Sequence, residues 1–292
     1  MRIAVVGLGE AGLCYAEAIG RVPDVSLALC ERAPGDACLA LADRLGIPVR
    51  NTPGAWVEDC DWVFSFVTGE ASLPVAEAFL ARMSRGAGIY ADFTTASPSV
   101  MRQAARGAAE RGIVYLDVAI MGAIALSGPG TPLLVAGAAS PEWQALMESA
   151  GAPLTVIGEA MPGDASSLKL LRSAFTKGME ALTVEVLAAA ERQGLRERFY
   201  DVVSDIDRGS LPRYLETLVQ THLVHAPRRS KEVAEVRRQF EAARLRSDVL
   251  PGVEAAFQRT VRALQSSPPG EASRRIEDAV AWVLRARAGD EP

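Results

Sequence analysis

A doubly wound α/β domain with a mostly parallel sheet, followed by an all-α domain, is the fold this 292-residue sequence predicts, and three observations predict it. Short β-rich runs alternate with helical segments from Arg2 to about Ile157, and a strand–helix–strand unit brings the chain back parallel. Beyond that point every apolar pattern has helical spacing. Between the two regions runs Gly163 to Arg192, apolar nearly all the way round and therefore of a kind normally buried. It is read as a long interdomain helix, with a domain boundary between residues 161 and 162: residues 1–161 form the sheet domain and residues 162–292 the helical one.

Taken in order, Arg2 to Val6 is a β-rich strand that ends in Gly7-Leu8-Gly9-Glu10-Ala11-Gly12 and is followed by helical spacing. This is the order that dinucleotide binding needs. Gly7 permits the tight turn, Gly9 lets backbone approach a diphosphate, Gly12 allows close helix–strand packing, and the helix start offers free N–H groups. A plain tight turn is the competing reading, and the second strand at Val25 to Cys30 weighs against it. Glu31 and Arg32 follow that strand. A glutamate there hydrogen-bonds a ribose 2′-hydroxyl and repels a 2′-phosphate, whereas the arginine stacks on adenine or grips that phosphate, so the cofactor is NAD or NADP with the balance slightly toward NAD.

A helix from Gly35 to Leu45, a short strand near Pro48-Val49 and a buried strand from Trp62 to Val67 come next. The loop after that strand, with Val67 and Thr68, lies at the strand-end edge where ligands collect. Strand Gly88 to Asp92 leads into Thr94, Thr95 and Ser97, which are placed at the nicotinamide end, although Ser97-Pro98 equally starts a helix. Strand Val114 to Asp117 precedes a loop containing Met121-Gly122-Ala123, and strands Leu133 to Ala136 and Leu154 to Ile157 complete the sheet.

In the long helix, Asp164 or Ser166 is expected to cap the start, and Arg192 to Gly194 supplies the stop. Lys169, Ser173, Thr176, Lys177 and Glu180 make one polar stripe, read either as the wall of a cleft or as solvated side chains with Lys169 snorkelling outward. Breaks are expected at Gly194, Gly209 to Pro212, Ala226-Pro227, Pro251-Gly252 and Ser266 to Gly270, with the apolar stripe of Val202, Ile206 and Leu211 to Leu218 packing on the long helix. His222 and His225 lack a placed carboxylate partner, so no metal is expected.

The totals bound the function. A net charge of −5 argues against a nucleic-acid partner, and 49% hydrophobic with 23% charged residues is a globular balance. Apolar runs are interrupted by charge before they reach membrane-spanning length, and no secretory leader is visible, so a cytoplasmic protein without membrane partners is expected. Cys14, Cys30, Cys38 and Cys60 contain no CxxC pair and are read as buried free thiols.

With GLGEAG at Gly7 to Gly12, the loop from Asp117 to Ala123 and GDASSLKLLRS at the start of the long helix, the chain resembles the β-hydroxyacid dehydrogenase family, which includes 3-hydroxyisobutyrate and 6-phosphogluconate dehydrogenases. The resemblance implies an NAD(P)-binding Rossmann domain, hydride transfer to or from a small hydroxy acid or related carbonyl compound, and Lys169 as general acid/base. It assigns Leu8, Glu10 and Ala11 to the cofactor, and Met121, Gly122, Ala123 and Ser173 to the substrate. Two positions depart from the family pattern: Ser173 stands where asparagine is usual, and Met121-Gly122-Ala123 replaces Ser-Gly-Gly, which removes polar groups expected to hold a substrate carboxylate. KGMEAL at Lys177 and HAPRRSKEVAE from His225 to Glu235 resemble a branch with a less characterised C-terminal domain. By that likeness Lys177, His225, Arg228, Arg229 and Glu232 face the substrate, the alternative being a salt-bridged helix start. Imine reductases share the architecture, and a catalytically inactive dinucleotide-binding partner or sensor is the third reading. The family resemblance also implies a two-fold homodimer through the helical domain.

Overall fold

The computed structural model describes residues 1–86 and 88–288. Its strands are β1 (Arg2–Val6), β2 (Ser26–Cys30), β3 (Val49–Arg50), β4 (Trp62–Ser65), β5 (Ile89–Asp92), β6 (Val114–Ile120), β7 (Leu133–Ala136) and β8 (Leu154–Val156). They form one sheet in the order β3-β2-β1-β4-β5-β6-β7-β8. Every neighbouring pair is parallel except β6–β7. The order reverses between β1 and β4, and at such a switch point the two outgoing loops diverge and leave a crevice.

Period-2 geometry explains why the strands are apolar throughout. In β1, Ile3 and Val5 enter one core with Leu29, Phe64, Leu116 and Trp143, while Ala4 and Val6 enter another with Val63, Tyr90 and Tyr115. Helices cover both faces, so neither set of side chains is left to water. The helices of this region are α1 (Glu10–Ile19), α2 (Asp36–Leu45), α3 (Gly69–Leu80), α4 (Pro98–Ala109), α5 (Ile124–Ser127) and α6 (Pro141–Ser149). The Ser97 hydroxyl caps α4 by accepting the Val100 N–H, with Pro98 in the first turn. Strand β6 runs three residues beyond the expected end at Asp117, because antiparallel β7 pairs with that extension, Ile120 opposite Leu133.

The chain divides into two compact units, Met1–Ala174 and Phe175–Pro292. Helix α7 (Asp164–Arg192) contributes to both. The rest of the second unit is helical: α8 (Arg196–Val203), α9 (Leu211–Ala242), α10 (Leu250–Ser266) and α11 (Ile276–Ala288). Helix α7 stops as expected at Gly194, which has φ +68 and donates to Glu191 O.

Three expectations for the helices need correction. Neither Asp164 nor Ser166 caps α7 from within the helix: the Asp117 carboxylate of β6 receives the Gly163 and Ser166 N–H groups, while Asp164 reaches back to the Met161 N–H. Helix α9 passes through Pro227 without a break. Proline removes one donor and costs about 3 kcal/mol in a helix interior, and burial of Leu223, Ala226 and Phe240 along the same helix offsets that cost. Val202, Ile206 and Leu211 are exposed rather than packed on α7. The α7 residues Leu182 and Ala189 instead meet Phe240, Leu245 and Leu250. Helix α7 also keeps exposed apolar side chains in the single chain, Leu171 at 64% and Val184 at 65%.

The four cysteines are free thiols, three buried and Cys14 half-buried. Among the described residues, no helix is long and apolar enough to cross a membrane.

Candidate functional site

The crevice begins at Gly7, whose φ is +84 and whose N–H donates to Cys30 O at 2.9 Å. A β-carbon at Gly7 meets the Phe66 and Val67 backbone at 2.9 Å, and one at Gly12 meets Gly7 O at 1.9 Å. These two glycines are therefore demanded by close packing of β1, α1 and the β4 loop. Gly9 differs, since nothing lies within 4 Å of its β-carbon position. Its open side, in front of the first turn of α1 with its free N–H groups, is a cradle of the shape a diphosphate needs.

Glu31 closes the loop from the other side. Its carboxylate accepts the Leu8 N–H at 2.8 Å and the Ala33 N–H at 3.1 Å. Together with Gly7, Gly9, Arg32, Val67 and Thr68 it lines a cavity of about 380 Å³, to which Asn51 and Pro53 also contribute. Neither of the last two carries a local sequence signal, because β3 brings them there only when it pairs with β2.

A second cavity of about 450 Å³ shares Phe66, Val67 and Thr68 with the first. Its walls bring together Glu10, Ala11, Thr94, Thr95, Gly122, Ala123 and Lys169, and also Gly69, Phe93, Ile120, Ile124 and Ala125. Phe66 and Phe93 stack with ring centroids 4.3 Å apart, and Tyr15 of α1 stacks on Phe66 at 5.4 Å. This aromatic wall arises because β4 and β5 end side by side, each with a phenylalanine just past its end. Met121 packs with Ala119, Ala136 and Ala165.

Two buried carboxylates frame the polar side. Asp92 Oδ1 accepts the Thr94 N–H at 2.9 Å, and Asp92 Oδ2 accepts the Ser72 and Tyr115 hydroxyls, each at 2.8 Å. Asp117 Oδ2 accepts Gly163 N–H at 2.8 Å and Ser166 N–H at 3.0 Å, and Oδ1 accepts the Ser166 hydroxyl at 2.7 Å. Burial raises the Asp117 pKa above the ordinary carboxylate value, opposed by these hydrogen bonds and helped by the nearby Asp92 charge. Lys169, one turn into α7, donates from Nζ to Thr95 Oγ1 at 2.7 Å. Burial lowers its pKa below the usual lysine value, and the Asp117 charge works against that lowering. The Thr94 hydroxyl, almost wholly buried in the same wall, has no hydrogen-bond partner among the described residues.

The remaining expected positions lie elsewhere. Ser173 is half-buried and Lys177 exposed, both on α7. In the second unit His225 is half-buried, Arg228 pairs with Glu232 one turn on, and Arg229 donates to Thr221 Oγ1 at 3.1 Å. The His225 to Glu232 stretch is salt-bridged but sits mid-helix, not at a helix start. His222 hydrogen-bonds Thr260 at 2.8 Å with its ring edge-on to Phe257. A larger apolar cavity of about 500 Å³ lies among α9, α10 and α11. The polar convergence is at the switch point, and the site is placed there. Among the described residues, no group of three or more His, Cys, Asp or Glu is arranged to hold a metal ion.

A strand, glycine turn and helix at the switch point of a doubly wound sheet, with its cradle open at Gly9, defines an NAD(P)-binding domain. Residues 2–158 match the NAD binding domain of 6-phosphogluconate dehydrogenase, and the chain belongs to that family. An uncharacterised 28.5 kDa protein of Methanothermus fervidus is 26% identical over 236 residues, 81% of this chain and 89% of that protein. A conserved protein of unknown function, described as structurally similar to 3-hydroxyacid dehydrogenases, is 26% identical with a TM-score of 0.62, over 97% of this chain and 99% of that one. A conserved hypothetical protein from Sinorhizobium meliloti is 27% identical with a TM-score of 0.60, over 98% and 96% of the two chains. An imine reductase variant from Myxococcus stipitatus, solved with NAD+, shares the fold at 19% identity and a TM-score of 0.72, over 90% and 94%.

Proposed function

We propose that this protein is an NAD(P)-dependent oxidoreductase in which Lys169 is the general acid/base for a small hydroxy acid or related carbonyl compound. The observation that carries this reading is the place of Lys169: its Nζ, held by Thr95, lies in the wall of the cavity that Glu10 and Ala11 of the glycine turn also line. A nicotinamide dinucleotide, when bound, supplies or accepts the hydride. The chain's own residues do the rest. The Gly7 to Gly12 turn would hold the diphosphate, Glu31 and Arg32 would meet the adenosine ribose, and Thr94 and Thr95 line the cavity at the nicotinamide end. Phe66 and Phe93 keep water from one wall, and Nζ of Lys169 takes the hydroxyl proton or returns it.

Reduction of an imine is the second reading. The apolar lining of Ile120, Gly122, Ala123, Ile124 and Ala125 favours it, since a carboxylate substrate gains little there. A panel of hydroxy acids and cyclic imines followed at the nicotinamide absorbance separates the two. Tight cofactor binding without any turnover would point instead to a non-catalytic sensor.

For cofactor choice, Glu31→Gln is expected to raise the affinity for NADP relative to NAD by about tenfold, by removing repulsion of the 2′-phosphate while keeping an acceptor for the Leu8 N–H. Arg32→Ala should shift the ratio the other way. Dissociation constants from nicotinamide fluorescence decide this, and an unchanged ratio in both variants removes the pair from the ribose site.

The same reading includes a two-fold homodimer through the helical unit, with α9 of the second copy, carrying His225, Arg228, Arg229 and Glu232, reaching the substrate alongside Lys177. The exposed apolar side chains Leu171, Met179 and Val184 of α7 support it, since patches of that kind are uncommon on soluble monomers. An interface of this type typically buries more than about 2,000 Å². Light scattering at micromolar concentration should return the dimer mass, and an active species of monomer mass refutes the assembly.

A further inference from the structure

Asp92 and Asp117 are register partners on β5 and β6, and both are fully buried. Placing two carboxylates side by side inside a sheet is costly unless each is tightly hydrogen-bonded. Six donors meet them, three each, and the donors fall into two groups. Those of Asp92 lie on α3, β6 and the loop that carries Thr95. Those of Asp117 all lie at the start of α7, three to six residues before Lys169. We infer that Asp92 and Asp117 are paired positioning residues, one pinning the Thr95 loop and the other the first turn of α7, so that Thr95 Oγ1 and Lys169 Nζ meet before any substrate arrives.

The geometry has a further consequence. A helix start carries partial positive charge, so the Asp117 carboxylate is favourable there. Other charged groups near this end of α7 include Glu10 in the shared cavity wall, Asp92 on β5, Arg172 one turn on from Lys169, and the Arg102–Asp164 pair at 3.3 Å. Asp117 thus both places the lysine and opposes the lowering of its pKa by burial. The functional meaning of the device rests on the proton-transfer role proposed for Lys169, but its existence does not depend on that role.

The chain has three lysines, Lys169, Lys177 and Lys231, so reductive methylation with ¹³C-formaldehyde gives three side-chain signals besides the amino terminus. Titrated by NMR in the intact protein, the Lys169 signal should have its midpoint moved downward in Asp117→Asn, because the anion that favours the ammonium is gone. The signals of Lys177 and Lys231 should not move. In Asp92→Asn the Thr94 amide should exchange with solvent about tenfold faster, as expected for a weakened buried hydrogen bond. Nucleotide affinity, read by fluorescence, serves as the check that each variant is folded. Should Asp117→Asn not fold, Ser166→Ala keeps the anion while removing one of its three bonds, and exchange at the Gly163 and Ser166 amides should quicken about tenfold. A folded Asp117→Asn with an unmoved Lys169 midpoint, or unchanged exchange in Asp92→Asn or Ser166→Ala, overturns the proposal. With a turnover substrate in hand, the positioning variants should lower kcat and leave the cofactor KM near its original value. If Lys169→Ala retains turnover, the proton-transfer reading fails while the titration result stands, so the two outcomes are distinguishable.

Discussion

Replacing Lys169 by alanine should lower turnover by about two to four orders of magnitude, the usual contribution of a positioned general acid/base, and leave nucleotide affinity nearly unchanged. Lys169→Arg should not rescue it. Arginine keeps the positive charge and can donate to Thr95, but it does not release its proton in the working range, so charge alone is separated from proton transfer. The pH profile carries the same information with a definite sign. Alcohol oxidation needs the neutral amine, so its rate should rise with pH through the Lys169 pKa, at a midpoint below that of an ordinary lysine because burial disfavours the ammonium. Carbonyl reduction needs the ammonium, and its rate should fall through the same midpoint. Loss of less than about fivefold in Lys169→Ala on a verified substrate, outside the range a positioned acid/base supplies, would sink the assignment.

The second large effect is expected in the glycine turn, and it separates packing from binding. In Gly12→Ala the new β-carbon is placed 1.9 Å from Gly7 O, and Gly7 is itself tight against the Phe66 and Val67 backbone. Neither neighbour is a flexible side chain that yields cheaply. The cost should therefore reach the upper end of overpacking penalties, about 3 kcal/mol. For a unit of this size that lowers the melting temperature by about 6–12 °C. Gly9→Ala is the control. Its β-carbon meets nothing in the protein, so calorimetry should give the parent melting temperature, whereas nucleotide affinity should fall by about tenfold or more because the methyl occupies the diphosphate cradle. If Gly9→Ala binds the nucleotide as tightly as the parent protein, the cradle is misplaced. A Gly12→Ala protein that melts within about 2 °C of the parent, far short of the shift expected from overpacking, shows that the turn is looser than its geometry implies.

What the chain declares by itself is what depends on neighbours in sequence. The glycine turn is legible because its three glycines answer to backbone constraints within six residues of one another, and a strand precedes it and a helix follows. The apolar runs of β1, β4 and β6 announce a sheet buried on both faces, and the unbroken helical spacing from Asp164 to Arg192 announces α7. Lys169 stands out through motif likeness as the lysine of a polar stripe. Periodicity reports that a face is buried, however, and not what it is buried against. The contact that gives Lys169 its meaning joins residues 74 apart, and the Asp117 cap of α7 joins residues 46 and 49 apart. No local pattern marks an aspartate at a strand end as the cap of a distant helix. The extension of β6 required antiparallel pairing with β7, and the passage of α9 through Pro227 required burial that outweighs a strong local breaker. The stacked pair of Phe66 and Phe93 exists because β4 and β5 end at the same level of the sheet. Turn chemistry and secondary-structure period are short-range properties written in the chain. The capping, pairing and stacking that assemble the site are long-range, and only the assembled sheet decides which side chains meet.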